Sequence, residues 1–253
     1  MKLFKKILKG FLVFLAIVVV FALIVLLQQV NPAQRPTLEY YTKPVRSYEP
    51  ELENIDFDKL FEVYGQNKVL PPGYEKQAIL ALSAYPELKD VHIRFELNQE
   101  SAPMEATFEY TSLLGFGPRV YRVRLNNAEN TQFDEILLYS LPFDAQVGIL
   151  AHELGHIVYY RRLNFFQILK WGLMYLVSED FRSIHERTTD LMPVYHGLGW
   201  QIYDYAHYIR TSPATKELYE QFGDVFIDKF YMTHDELLSE IKQIDLYNNM
   251  IDE

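Results

Sequence analysis

The chain has 253 residues, with 34 Asp and Glu against 24 Lys and Arg, no cysteine and a net charge of −10. This acidity excludes nucleic acid as a partner, because phosphate binding draws on clustered Lys and Arg. The lack of thiols excludes disulfides, thiol catalysis and cysteine-based metal sites, and a chain of this length buries enough core to do without cross-links.

Lys2, Lys5, Lys6 and Lys9 precede an uncharged run from Gly10 to Leu27 built almost wholly of Leu, Val, Ile, Phe and Ala. A run of this length crosses a bilayer as a helix, so residues 1–30 read as a single-pass transmembrane signal anchor. Only Arg35 and Lys43 lie within about fifteen residues on the far side, which keeps the N-terminus cytoplasmic and the rest of the chain extracytoplasmic, periplasmic or extracellular. No small-x-small cleavage site follows the run. Pro32, Pro36, Pro44 and Pro50 among polar residues make 31–58 an extended linker that spaces the domain from the membrane. Residues 59–253 form that domain.

Residues 74–85 read as a helix opened by Pro71-Pro72-Gly73 and stopped by Pro86. Alternation then takes over: Val91, Ile93, Phe95 and Leu97 interleave with His92, Arg94 and Glu96, which predicts a half-buried strand. Further strands fit 105–112, 119–125 and 135–141. Pro142 ends the last, and residues 143–162 wind as a helix carrying His152-Glu153-Leu154-Gly155-His156. The two histidines sit one turn apart, so both imidazoles can reach one metal ion while Glu153 stands beside them. Val147, Leu150, Leu154, Ile157 and Val158 fall roughly opposite, which turns the histidines away from the packed side. Asp144 is placed to cap this helix, and Gly148 and Gly155 share a flank where another element approaches closely.

The apolar run Phe165–Val177, with Lys170 as its only charge, is too short to span a bilayer and predicts a buried helix joining two halves of a site. Beyond it, Glu186 and Asp190 stand four apart, on one helical face. One carboxylate can complete a metal site while the other accepts the free N–H of a ligand imidazole. Glu186 is preferred as the third ligand over Glu179, Asp190 and His185, because it alone is followed by a carboxylate four residues later. Asp190 takes the supporting role.

With both segments in view, the chain resembles the gluzincin-type zinc metallopeptidases, in which H-E-x-x-H is followed by an E-x-x-x-D helix, here Glu186 to Asp190. The resemblance covers about residues 143–196. The metzincin pattern would need Gly at 159 and His at 162, where this chain has Tyr159 and Arg162. The resemblance implies an α+β, zincin-like fold, Zn2+ held by His152, His156 and Glu186, and Glu153 as the general base in hydrolysis of a peptide or protein substrate. It further implies a downstream oxyanion donor, with Tyr195, His196, Tyr203 and His207 as candidates, and an edge strand that pairs with substrate. Asn127-Ala128 resembles the substrate-contacting Asn-Ala pair of thermolysin-like enzymes.

The C-terminal half reads as helical over 200–210, 214–230 and 234–248, with Pro213 near a helix start and a capping box at Thr233 to Glu236. Two other functions fit the same residues. One is a catalytically silent zincin-like domain that binds an extracytoplasmic protein, and the other is a non-peptidase zinc hydrolase on the same scaffold. Glu153 distinguishes catalysis from silent binding, since binding alone needs no base beside the metal.

Overall fold

The computed structural model describes residues 2–38, 43–99, 102–114, 117–129 and 131–250, so linker positions 39–42 lie outside it. Its architecture is α+β, a small mixed sheet followed by a mainly helical half. Helix α1 spans Lys2–Leu27, and its apolar window Gly10–Leu27 is long and apolar enough to cross a membrane. Two helices follow the linker, α2 at Phe57–Tyr64, whose first turn is capped by Asp56, and α3 at Glu75–Ser83.

The sheet consists of β1 (Lys68–Val69), β2 (His92–Asn98), β3 (Met104–Phe108) and β4 (Val120–Asn126), in spatial order β1-β2-β4-β3. β4 runs parallel to β2 and antiparallel to β3, which leaves β3 at an edge. Alternation puts Ile93 and Phe95 in the core as expected, while Leu97 is partly exposed at the end of β2. The strand expected at 135–141 is instead two 3-10 turns, Asp134–Ile136 and Leu138–Ser140. Neighbouring Leu137 and Leu138 are both buried, and a strand cannot point consecutive side chains to one face.

Helix α4, Phe143–Tyr160, is the axis of the domain. Its expected apolar residues Val147, Leu150, Leu154, Ile157 and Val158 are all buried, but so is nearly every other position, including both motif histidines. The histidines are therefore enclosed by packing, and of the two only His152 lines the cavity described below. Asp144 does not cap the helix. It is buried and accepts hydrogen bonds from Ser47 Oγ, Tyr48 N–H and Gln201 Nε2. The linker is only partly extended, since Glu49–Glu51 form a 3-10 turn and α2 already begins at Phe57, and its described residues are fastened to the domain at several points. Tyr159 Oη donates to Asn31 O, Arg35 to Tyr195 Oη, and Arg46 forms a two-pronged pair with Asp204.

Helices α5 (Phe165–Val177) and α6 (Glu179–Tyr195) follow, then α7 at Gly199–Thr211 and α8 at Lys216–Phe222. A π turn at Gly223–Ile227 leads into one helical turn, α9, at Asp228–Phe230. The last helix, α10, covers His234–Lys242, and both hydrogen bonds of its predicted capping box from Thr233 to Glu236 are present. The expectation of a buried α5 fails: only Ile168 is fully buried, and Leu169, Leu173, Leu176 and Val177 are exposed.

The two glycines of α4 serve two different crossings. A Cβ at Gly155 would meet Met192 Cβ of α6 at 3.0 Å, and one at Gly148 would lie 2.2 Å from Gln201 O of α7. The second contact is with rigid backbone, so side-chain motion cannot relieve it. Gly148→Ala is expected to cost about 3 kcal/mol and lower the midpoint of thermal unfolding by roughly 6–12 °C. An unchanged midpoint would mean that α7 shifts freely.

Candidate metal centre

Two crossing helices supply the site. α4 presents His152 and His156 one turn apart, and α6, started by the Ser178 cap on Phe181 N–H, brings Glu186 across from them. Glu186 Oε2 lies 3.3 Å from His152 Nε2 and 3.4 Å from His156 Nε2. One ligand atom from each of the three lies within 4.8 Å of the others, and all three residues are buried. Two imidazole nitrogens and one carboxylate oxygen form a donor set that could hold a metal ion. The residues expected to hold the metal therefore come together in a geometry that could hold one.

His152 and Glu186 are each aimed by a neighbour. His152 Nδ1–H donates to Asp190 Oδ1 at 2.8 Å, and Asp190 Oδ2 accepts Met232 N–H at 2.7 Å. Asp190 thus has the supporting position expected of it, fixing the tautomer that turns Nε2 inward. Tyr175 Oη donates to Glu186 Oε1 at 2.6 Å, leaving Oε2 for the imidazoles. His185, a rival ligand, lies behind the site: its Nε2 is 3.2 Å from His156 Nδ1, and its Nδ1 accepts Ala33 N–H. Glu179, the other rival, is exposed and paired with Lys229.

Charge balance follows from this packing. Burial works against a charge on His152, but Asp190 and Glu186 on either side hold its pKa well above the ordinary imidazole value. Burial also opposes ionisation of Glu186, and the two imidazoles overcome it and hold the carboxyl well below its usual range. Burial, with His156 beside it, lowers His185 to about 3, so His185 is neutral. The carboxyl of Glu153 is pushed up by burial, an effect His156 and His152 only partly offset.

Glu153 faces a cavity of about 690 Å³ that also reaches His152, Asp190, Tyr175, Tyr205 and Tyr231. Ala106 N–H of the edge strand β3 hydrogen-bonds the Glu153 carboxylate, while Oε2 is buried with no partner among the described residues. Met104 and Glu105 of β3 line one wall, and Ile149, Ile202, Ile209, Phe222 and Phe226 make the rest largely apolar. Arg210 also lines it. Its Nε pairs with Asp228, but its buried Nη2 has no partner among the described residues. None of the described lining residues comes from the linker.

Other expected site residues are placed elsewhere. His196 is buried away from the cavity, with Nδ1 at 2.8 Å from Met192 O, Nε2 at 2.9 Å from Glu87 Oε1 and its ring stacked on Tyr85. Tyr195 Oη accepts from Arg35, and Tyr203 stacks on His207; none of these is among the cavity residues. Asn127 and Ala128 follow the end of β4, an interior strand: Asn127 N–H donates to Asn98 O, and Ala128 N–H to Asn126 Oδ1. They form a turn, and the strand along the cavity is β3. The aromatic missed in the sequence is Tyr231, whose ring centre is 6.0 Å from that of His152. Its backbone is anchored by Arg187 Nη1 donating to its carbonyl, and no local pattern marks it among nineteen tyrosines.

No protein-family model matches the chain, and searches of curated proteins and of solved structures likewise give no match.

Asp190→Asn is expected to weaken zinc binding by about 10- to 100-fold, measured by competition with a chelating dye, because His152 loses the acceptor that fixes its tautomer. Wild-type affinity in this variant would remove Asp190 from the site.

Proposed function

We propose that this chain is a membrane-anchored, zinc-dependent metallopeptidase with a zincin-like domain, its catalytic part lying outside the cytoplasm. The observation that carries this reading is the convergence of His152, His156 and Glu186 beside a cavity that Glu153 helps to line. Zinc bound by the three residues would acidify a water and polarise the scissile carbonyl. Glu153, whose pKa is raised by burial, takes the proton of the attacking water and passes it to the leaving amine. Tyr231, beside His152 in the cavity wall, is the residue placed to donate to the developing oxyanion.

Substrate positioning follows from the same walls. β3 has one partner strand, so its other edge, apart from the Ala106 N–H held by Glu153, offers backbone groups to an extended peptide laid along the cavity. The apolar lining suits a large hydrophobic side chain. A silent binding domain has no use for a buried carboxylate base lining a cavity next to the donors His152, His156 and Glu186. The test is metal analysis joined to a peptidase screen of the full chain in detergent. Zinc near one per chain with cleavage that a chelator abolishes supports the reading, and wild-type protein that takes up no zinc overturns it.

A further inference from the structure

Helix α5 is amphipathic, and its outward face carries no polar group. Leu169, Leu173, Leu176 and Val177 recur at helical spacing, and Leu176 and Val177 are 75% and 68% exposed. Its other face serves the site: Tyr175 holds Glu186, and Trp171 packs on Tyr160 and His185. In water the outer stripe would be a costly apolar patch.

The neighbour of α5 indicates what covers the stripe. The first turn of α5 meets α1, with the rings of Phe166 and Phe21 5.8 Å apart. Phe21 lies six residues before the end of the apolar window at Leu27, about 9 Å along the helix axis. If α1 spans a bilayer, Phe166 lies well inside the hydrocarbon region. The only charge on α5, Lys170, does not reach away from α1. Its Nζ donates to Leu26 O and Gln28 O, satisfying carbonyls that the end of α1 leaves open.

We propose that α5 is a second membrane contact, a non-spanning helix seated in the leaflet nearest the domain, with lipid acyl chains covering Leu169, Leu173, Leu176 and Val177. The domain is held by two elements and sits on the bilayer with its metal-bearing helices directly behind α5. Substrate then reaches the cavity at the membrane surface. The inference rests on α1 being embedded, and the test separates the two.

The chain contains no cysteine, so single introduced thiols can be labelled without ambiguity. Full-length Phe14→Cys, Leu173→Cys, Leu176→Cys and Lys216→Cys variants, nitroxide-labelled and reconstituted in phosphatidylcholine vesicles, are compared for collision with lipid-soluble oxygen and with aqueous nickel chelate. The Leu173 and Leu176 labels are expected to follow Phe14, favouring oxygen, whereas the label at exposed Lys216 favours nickel. If Phe14 favours oxygen while Leu173 and Leu176 favour nickel, the α5 contact falls and the anchor stands. Labels at 173 and 176 screened from both reagents would mean that protein, such as a second copy, covers the stripe, and would overturn the proposal. A nickel-accessible Phe14 would overturn the anchor and the α5 contact together.

Discussion

Glu153→Gln is expected to keep about one zinc per chain and to lose peptide hydrolysis by about 10²- to 10⁴-fold, the usual contribution of a positioned general base. The amide has nearly the shape of the carboxylate, and its oxygen can still accept Ala106 N–H, so the local packing survives. What disappears is the carboxylate that would take the proton, on a residue that lines the cavity. The measurement pairs metal content with kcat/KM on a peptide that the wild type cleaves. Activity within a few-fold of wild type would remove Glu153 from the chemistry. Loss of zinc along with activity would show instead that Glu153 helps hold the metal.

His156→Ala is expected to lower zinc content from about one per chain to a small fraction after dialysis, with complete loss of hydrolysis. Two of the three donors remain, but a site reduced from three protein ligands to two loses affinity by orders of magnitude. Thermal unfolding provides an independent readout. A ligand bound only to the folded state stabilises it, so a chelator should lower the midpoint of the wild type and leave that of His156→Ala unchanged. An equal response of both proteins to the chelator would place the metal elsewhere.

The turn that brings the two histidines together was legible because its logic is local. One helical turn brings His152 and His156 together whatever surrounds them, and the spacing of Glu186 and Asp190 likewise encodes a shared face. The capping box at Thr233 was readable for the same reason, since both its bonds lie within four residues. The failures involve contacts distant in sequence. Asp144 has the composition and position of a cap, yet its partners are Ser47, Tyr48 and Gln201, which local pattern cannot supply. Residues 135–141 are apolar enough for a strand, but their burial lacks period two, and the turns are set by what packs around them. α5 has the composition of a core helix, and only the position of α1 distinguishes a lipid-facing stripe from a protein-facing one. Tyr231 reaches the site through the anchoring of its backbone by Arg187 on α6 and the packing of the π turn before it, neither of which leaves a sequence pattern.

The fastened linker limits the distance over which the domain can act. Twenty-eight free residues, 31–58, would make a leash of about 90–100 Å at full extension, enough to sweep a wide volume above a membrane. Here the slack is taken up: Asn31 is tied to Tyr159, Ala33 to His185 and Arg35 to Tyr195, while Val45 and Tyr48 are pinned to Gln201 and Asp144. With α1 in a bilayer, the working radius shrinks to little more than the domain's own height. A chain bearing such a strap cannot forage, and what it meets must come to the lipid surface.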